Sequence, residues 1–191
     1  MKRFLISVVA IAVLVSCASD PARRENIVKE HSAKLPAPTA PLSSYGKFEL
    51  KPTQMVDDVA KDAAKSSVGK DLDARIQERM QPMFARWSAE SGGASSAKML
   101  IVQPRITKLR VIGSATRRFV GAFAGDSSIA MDLELRDAST GAVVASPTIV
   151  RNANAFAGAY SGGSTDQNLL RYIADIATQY LQDHHSDKAS R

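Results

Sequence analysis

The stretch at residues 129–136 constrains the fold more than any other part of this sequence. Large apolar residues alternate there with small or charged ones: Ile129, Met131, Leu133 and Leu135 on one side, and Ala130, Asp132, Glu134 and Arg136 on the other. A period of two predicts an antiparallel strand with one face in the core and the other in water. Turn residues follow at 137–141, so residues 142–152 are expected to return as the partner strand of a hairpin.

The other apolar patterns complete a two-layer fold. Alternation at residues 45–51 predicts a first strand, and the β-branched run at residues 99–112 predicts another, in which Pro104 indicates an edge position or a bulge. Apolar residues at helical spacing predict one helix between these strands, which is kinked at Pro82 or rebuilt after it, and a second helix near the end of the chain. The start of this last helix is marked by Ser164, with Gln167 three residues on. We therefore predict an α+β fold, a two-layer sandwich with two main helices on one face of a mostly antiparallel sheet of about four strands (β-α-β-β-β-α).

The amino terminus has the regions of a secretory signal. Two basic residues precede an apolar run at residues 4–15, and the small residue Ser16 stands before Cys17, the only cysteine of the chain. The run rises about 18 Å as a helix, too little for a hydrocarbon layer of roughly 30 Å, so it is not expected to span a membrane. Leu14-Val15-Ser16-Cys17 resembles the lipobox of bacterial lipoproteins, which implies a signal peptide at residues 1–16 and a lipid on Cys17.

The resemblance to Gram-negative lipoproteins also implies where the chain works. Ala18 and Ser19 follow the cysteine with no aspartate directly after it, which favours the outer membrane and a domain that faces the periplasm. The membrane is then a partner through the lipid on Cys17.

Three further segments are expected after the signal. Residues 17–44 are polar and then proline-rich, which predicts a tether, since Ile27-Val28 alone is too isolated to form a helix face. Residues 45–182 have the size of one domain, and residues 183–191 form a polar tail.

Charge narrows the class of partner. The formal charge of +6 includes two basic residues of the signal, and without them 23 basic residues face 19 acidic ones, a net +4. Nucleic-acid binding needs a concentrated basic face and is not expected in the periplasm, whereas anionic lipid headgroups or cell-wall carboxylates remain open as partners.

One basic cluster is the candidate site for such a partner. Its residues fall in or just after one predicted strand: Arg105, Lys108, Arg110, Arg117 and Arg118. The alternative is that these charges only solvate a sheet face or protect its edge.

Catalytic residues are not expected. The three histidines, His31, His184 and His185, lie in the predicted tether or at the end of the last helix, away from any nucleophile, and no cluster has metal-ligand spacing. The loop at residues 158–163 lacks the ending of a phosphate-binding loop. Asp132 and Glu134 are the residues for an alternative, a hydrolase that acts on glycan or lipid. We predict a protein that is not an enzyme and binds no cofactor or metal.

Two segments resemble a family of uncharacterised Gram-negative lipoproteins that is defined only as a domain of unknown function. The first, residues 117–125, contains an arginine followed by two glycines four residues apart (Arg117, Gly121, Gly125). The second is the turn Asp137-Ala138-Ser139-Thr140-Gly141. The resemblance covers residues 45–181 and brings no assigned activity. More distantly, the chain resembles periplasmic α+β domains of curli-secretion and Tol-type envelope proteins, which implies protein binding.

These patterns together predict a lipid-anchored envelope protein that acts as a non-catalytic binding or assembly module, with an envelope protein or cell-wall component as partner. The alternatives are the hydrolase described above and a subunit of an oligomeric secretion assembly.

Overall fold

The computed structural model describes residues 21–61, 63–91, 98–110, 127–153 and 164–185. Several predictions fall outside these ranges: the signal at residues 1–16, the lipid on Cys17, the arginines Arg117 and Arg118, the glycine loop at 158–163 and the tail from residue 186. Within the described ranges, every helix is too short or too polar to span a bilayer.

The order of helices and strands confirms the predicted α+β class. In the described residues the helices are α1 (Pro21–Ala33), α2 (Asp57–Ala60), α3 (Ala63–Glu90) and α4 (Ser164–His185), with a 3-10 turn at Leu42–Ser44. The strands are β1 (Lys47–Leu50), β2 (Gln54–Met55), β3 (Met99–Arg110), β4 (Ser127–Asp137), β5 (Val143–Ala145) and β6 (Thr148–Ala153). The predicted β-α-β-β-β-α series is present, with α1, β2 and the short helix α2 added and the last strand divided into β5 and β6.

The strands form one mixed sheet of six, where about four mostly antiparallel strands were expected. The central strands β3 and β4 are antiparallel, and β5 and β6 both pair antiparallel with β4. β1 and β2 pair with β3 in parallel. The parallel pairing follows from α3, because a helix between two neighbouring strands returns the chain in its original direction.

Pro104, expected at an edge or a bulge, lies in the interior strand β3. On one side β1 ends opposite Val102 and β2 begins opposite Arg105, so Pro104 faces the break between them. On the other side its Cα partner Leu133 donates its N–H to the carbonyl oxygen of Pro147 (3.0 Å). A backbone N–H at position 104 would therefore have no strand partner. Proline, which lacks this N–H, is thus accommodated here without loss of a ladder hydrogen bond.

The core lies between one face of the sheet and helices α3 and α4. The alternation predicted for β4 is confirmed, because its four large apolar side chains are 0–1% exposed. Helix α3 runs through Pro82 to Glu90 as one element. Near its start, Gly69 approaches Met55 so closely that a Cβ atom would lie 2.3 Å from the Met55 sulfur, so only glycine fits without a shift.

The segment predicted as a tether differs most from expectation. Residues 21–33 form α1, which packs along α4, and Val28 is 6% exposed. Further along, Leu42 is fully buried, and the Tyr180 hydroxyl donates to the carbonyl oxygen of Pro36 (2.9 Å). The prediction of an extended tether is therefore wrong for residues 21–44. Polar contacts hold much of this segment on the domain, and it has too few apolar residues for their spacing to predict this packing.

Candidate functional site

The outer face of the sheet, opposite the helices, carries the described part of the predicted basic cluster. Arg105, Lys108 and Arg110 all project from β3 on this face, and all three are exposed. Across the ladder, Arg105 pairs with Asp132, Lys108 with Ala130 and Arg110 with Ser128. Arg117 and Arg118 belong to the residues that the structure does not describe.

A β-bulge at Thr107 brings these three basic residues to one face. The register passes from Ile106 opposite Met131 directly to Lys108 opposite Ala130, so Thr107 is the extra residue. In a regular strand, residues 106, 108 and 110 would share a face, and Lys108 and Arg110 would point at the core. The bulge turns them outward and places Leu109, which is 7% exposed, in the core.

This bulge has a signal in the sequence that the alternation rule alone misses. The inward apolar residues of β3 fall at positions 100, 102, 104 and 106 and then at 109, a change from even to odd numbering. Such a change of parity within one strand indicates one inserted residue.

Lys108 and Arg110 differ from Arg105 in their electrostatic surroundings. The Arg105 guanidinium lies 3.8 Å from the Glu134 carboxylate, which also accepts hydrogen bonds from Arg136 (2.6 and 3.2 Å). In the described part of the chain, no carboxylate forms an ion pair with Lys108 or Arg110. These two side chains therefore present positive charge to solvent.

The surface beside these two cations is low and partly apolar. Across the strands, one row runs from Lys108 through Ala130 to Val150, and the next runs from Arg110 through Ser128 to Asn152. Small residues occupy the central strand in both rows, and Val150 is 51% exposed. We call these six residues the basic face: a shallow surface with two cations on one side and an exposed valine on the other.

The two carboxylates considered for hydrolysis lie further along the same open sheet face. Asp132 accepts a hydrogen bond from the Thr148 hydroxyl (2.7 Å), and Glu134 is held by Arg136 and Arg105. Neither residue lines either of the two cavities described below. Catalysis by a pair of carboxylates requires a concave site that holds the substrate. Among the described residues, both carboxylates are engaged in hydrogen bonds or ion pairs within the sheet.

Two cavities lined by described residues lie on the helical side of the molecule. One of about 360 Å³ lies between α1 and helices α3 and α4, and one of about 440 Å³ lies between α3 and α4. The first is lined by Pro21, Arg24, Glu25, Val28, Arg79, Asp175, Thr178, Gln179 and Gln182. The second is lined by Asp71, Ala74, Arg75, Glu78 and Gln167. The described residues contain no group of histidines, cysteines and carboxylates that could hold a metal ion.

The histidines have packing roles that the sequence did not indicate. In α1, the His31 Nδ1 atom lies 2.9 Å from the Ile27 carbonyl oxygen, and its Nε2 atom lies 2.9 Å from an Arg151 nitrogen. Helix α4 extends beyond the predicted domain end at residue 182, so His184 and His185 belong to its last turn. His185 stacks on Trp87 with ring centroids 3.8 Å apart, and burial lowers the pKa of His184.

The turn that carries part of the family resemblance has a structural role. The Asp137 carboxylate accepts hydrogen bonds from the Ser139 hydroxyl (2.6 Å), from the backbone N–H groups of Ser139 and Thr140, and from Tyr45. These hydrogen bonds, of which the one from the Ser139 hydroxyl has the largest effect, lower the pKa of Asp137 from 3.8 to about 2. Gly141 has a φ of 71°, which a residue with a Cβ atom rarely adopts. The motif therefore closes the hairpin.

Comparison with solved structures gives distant likenesses. PelC from Paraburkholderia phytofirmans, solved as a dodecamer, is 15% identical with a TM-score of 0.42, covering 76% of this chain and 95% of PelC. A single-residue variant of that PelC, also a dodecamer, is 14% identical with a TM-score of 0.43, covering 76% and 93%. A candidate lipoprotein from Caulobacter crescentus CB15 is 14% identical with a TM-score of 0.34, covering 88% and 99%.

Comparison of the amino-acid sequence with protein families gives a firmer relationship than the solved structures do. No curated protein matches the sequence. One family model does, and it matches residues 25–159, which include most of α1 and the whole sheet. The expected resemblance to a domain of unknown function is thus confirmed, with a match that begins twenty residues before the predicted start at residue 45. The chain belongs to the family described as Domain of unknown function (DUF4410).

Proposed function

We propose that this protein is a lipid-anchored protein of the outer membrane that faces the periplasm and acts as a non-catalytic binding or assembly module. Its basic face binds an anionic group on an envelope protein or cell-wall component. The observation that carries the proposal is the outward turn of Lys108 and Arg110 at the Thr107 bulge.

The anchor is supported by the sequence at the amino terminus. The apolar run at residues 4–15 ends at the only cysteine of the chain, in a sequence that resembles a lipobox. Acyl chains contribute about 0.8 kcal/mol per buried methylene, so a diacylglyceryl group with a further acyl chain holds a protein durably on a membrane.

The binding role is supported by the charge and shape of the basic face. Lys108 and Arg110 are exposed cations without an ion pair in the described residues, and exposed Val150 adds apolar area beside them. Exposed cations attract an anionic partner and orient it on approach. Asp132 and Glu134, by contrast, are already engaged within the sheet.

The test is an affinity pull-down from membranes with the full-length tagged protein. We compare wild type with the double variant Lys108→Glu, Arg110→Glu. The matched control is Lys61→Glu, Lys70→Glu, which makes the same charge change at exposed lysines on the helical side. Partners recovered with wild type and control and lost with the basic-face variant support the proposal. Equal recovery with all three proteins would remove the basic face from the function.

The anchor is tested in the same strains. Wild type is expected to incorporate labelled palmitate and to fractionate with the outer membrane, and Cys17→Ala is expected to do neither. If Cys17→Ala remains equally membrane-bound, or if wild type is not labelled, the lipid anchor is refuted.

A further inference from the structure

Helix α1 is attached to the domain by much less apolar contact than the other long helices. Of its 13 residues, only Val28 and Ser32 are buried. Helix α4, which it contacts, has its own apolar residues turned away into the core, where Ile173, Ile176 and Tyr180 are fully buried. Burial of one valine removes little apolar surface from water, so the hydrophobic effect holds α1 only weakly.

The surface under α1 is polar. At its carboxyl-terminal end, the Ser32 hydroxyl donates to Asp183 (2.6 Å), and His31 contacts Arg151. Towards the amino-terminal end, the only ion pair to the domain in the described residues is that of Arg24 with Asp175, at 3.8 Å. Release of α1 would expose mainly polar groups of this surface, and water can replace each of these contacts.

The amino-terminal half of α1 is also incompletely packed. The cavity of about 360 Å³ described above lies under this half, between Pro21, Arg24 and Val28 on one side and α3 and α4 on the other. Atoms that line a gap have lost their contact partners, and a helix of this length is marginal in water by itself. The end of α1 that leads to Cys17 therefore lies over a cavity.

The chain directly after α1 is held firmly. Pro36 accepts the hydrogen bond from Tyr180, Thr39 donates its backbone N–H to the Val144 carbonyl oxygen (2.9 Å), and Leu42 is fully buried. Only Lys34 and Leu35 lie between the end of α1 and these contacts. Leu35 itself packs against the core, so any movement of α1 has its hinge at Lys34.

We infer that α1 is a releasable arm, which docks on α4 in one state and separates from the domain in another. This inference rests on the proposed function for its consequence, because the lipid on Cys17 lies just before the arm. On release, the roughly 18 residues from Cys17 to Lys34 allow an anchor-to-domain distance of up to about 60 Å. The arm thus sets how far the basic face can reach from the membrane.

Hydrogen exchange measured by mass spectrometry on the full-length lipoprotein in detergent tests the inference. Amides of α1 are expected to exchange about a hundredfold faster than those in the centre of α4, because α1 opens without unfolding of the core. Equal protection of α1 and α4 would show that they open only together, which would overturn the inference.

A matched pair of variants defines the contact that holds the arm. Val28→Ala removes the one buried apolar side chain of α1 and is expected to raise α1 exchange about tenfold, with α4 unchanged. Arg23→Ala, at an exposed position of the same helix, is expected to change neither, because arginine and alanine are both strong helix formers. If Val28→Ala raises exchange equally in α1 and α4, α1 is an integral part of the core and the inference fails.

Repeating the exchange on the Cys17→Ala protein separates this inference from the proposed function. Docking of α1 uses contacts within the chain, so the same pattern is expected without the lipid. If the wild-type protein is not anchored by a lipid but α1 still exchanges fast, only the proposed function is refuted. If the lipid anchors the protein but α1 is as protected as α4, only the inference about the arm is refuted.

Discussion

The two faces of strand β4 differ in almost every physical respect although they alternate residue by residue. Leu133 is fully buried against the helices, while its neighbour Glu134 lies on the outer face with Arg105 and Arg136. The inner face contributes stability through close packing, whereas the outer face displays charge at little cost to the fold. The comparison teaches that residues for folding and residues for recognition are interleaved in one strand, separated by a period of two.

The largest effect is expected on the inner face. Leu133→Ala leaves a cavity in a packed core and should lower the free energy of unfolding by about 2–5 kcal/mol, whereas Glu134→Gln should lower it by less than about 1 kcal/mol. Urea denaturation of the two variants beside wild type measures both values. Equal losses would break the distinction between the faces.

An intermediate effect is expected where β4 ends. Asp137→Ala removes the carboxylate that holds the hairpin turn and should lower the melting temperature by several degrees. Because the folded pKa of about 2 lies below the ordinary value of 3.8, this stabilisation is present above about pH 4 and is lost as the pH falls towards 2. Melting curves of wild type and variant should therefore differ at pH 6 and converge near pH 2. A constant difference across that range would refute the role of the ionised carboxylate.

The smallest effect on stability is expected on the basic face. Lys108→Glu, Arg110→Glu should change the free energy of unfolding by no more than about 0.5 kcal/mol per substitution, because both side chains are exposed and unpaired in the described residues. Urea denaturation checks this together with the pull-down described above. A variant that loses both binding and stability would show that the face is part of the fold and not a separate surface for recognition.

The sequence predicted those parts of the fold that depend on periodic burial. The alternation of β4 and the sandwich of helices on one sheet face follow from apolar spacing, and the start of α4 at Ser164 follows from its capping residues. Helix α1 could not be predicted in this way, because Val28 is its single buried apolar residue and its other contacts join positions more than a hundred residues apart, such as Ser32 and Asp183.

The candidate site was predicted in part. The basic residues of β3 were identified from charge alone, but their common face depends on the bulge at Thr107. The break between β5 and β6 was missed as well, although Pro147, which has no N–H to donate to a ladder, marks it. In both places a single residue changes the strand pairing: Thr107 shifts the inward residues of β3 from even to odd positions, and Pro147 interrupts the ladder between β5 and β6.

The bulge has a consequence for how this strand tolerates change in length. Deletion of Thr107 would place Lys108 directly after Ile106 and restore a regular strand, so Lys108 and Arg110 would stay on the outer face and Leu109 would stay in the core. If instead the ladder ran regularly through Thr107, with no bulge, Lys108 and Arg110 would point into the core and Leu109 would be exposed. In β3, the register of pairing matters as much as the chemistry of the residues.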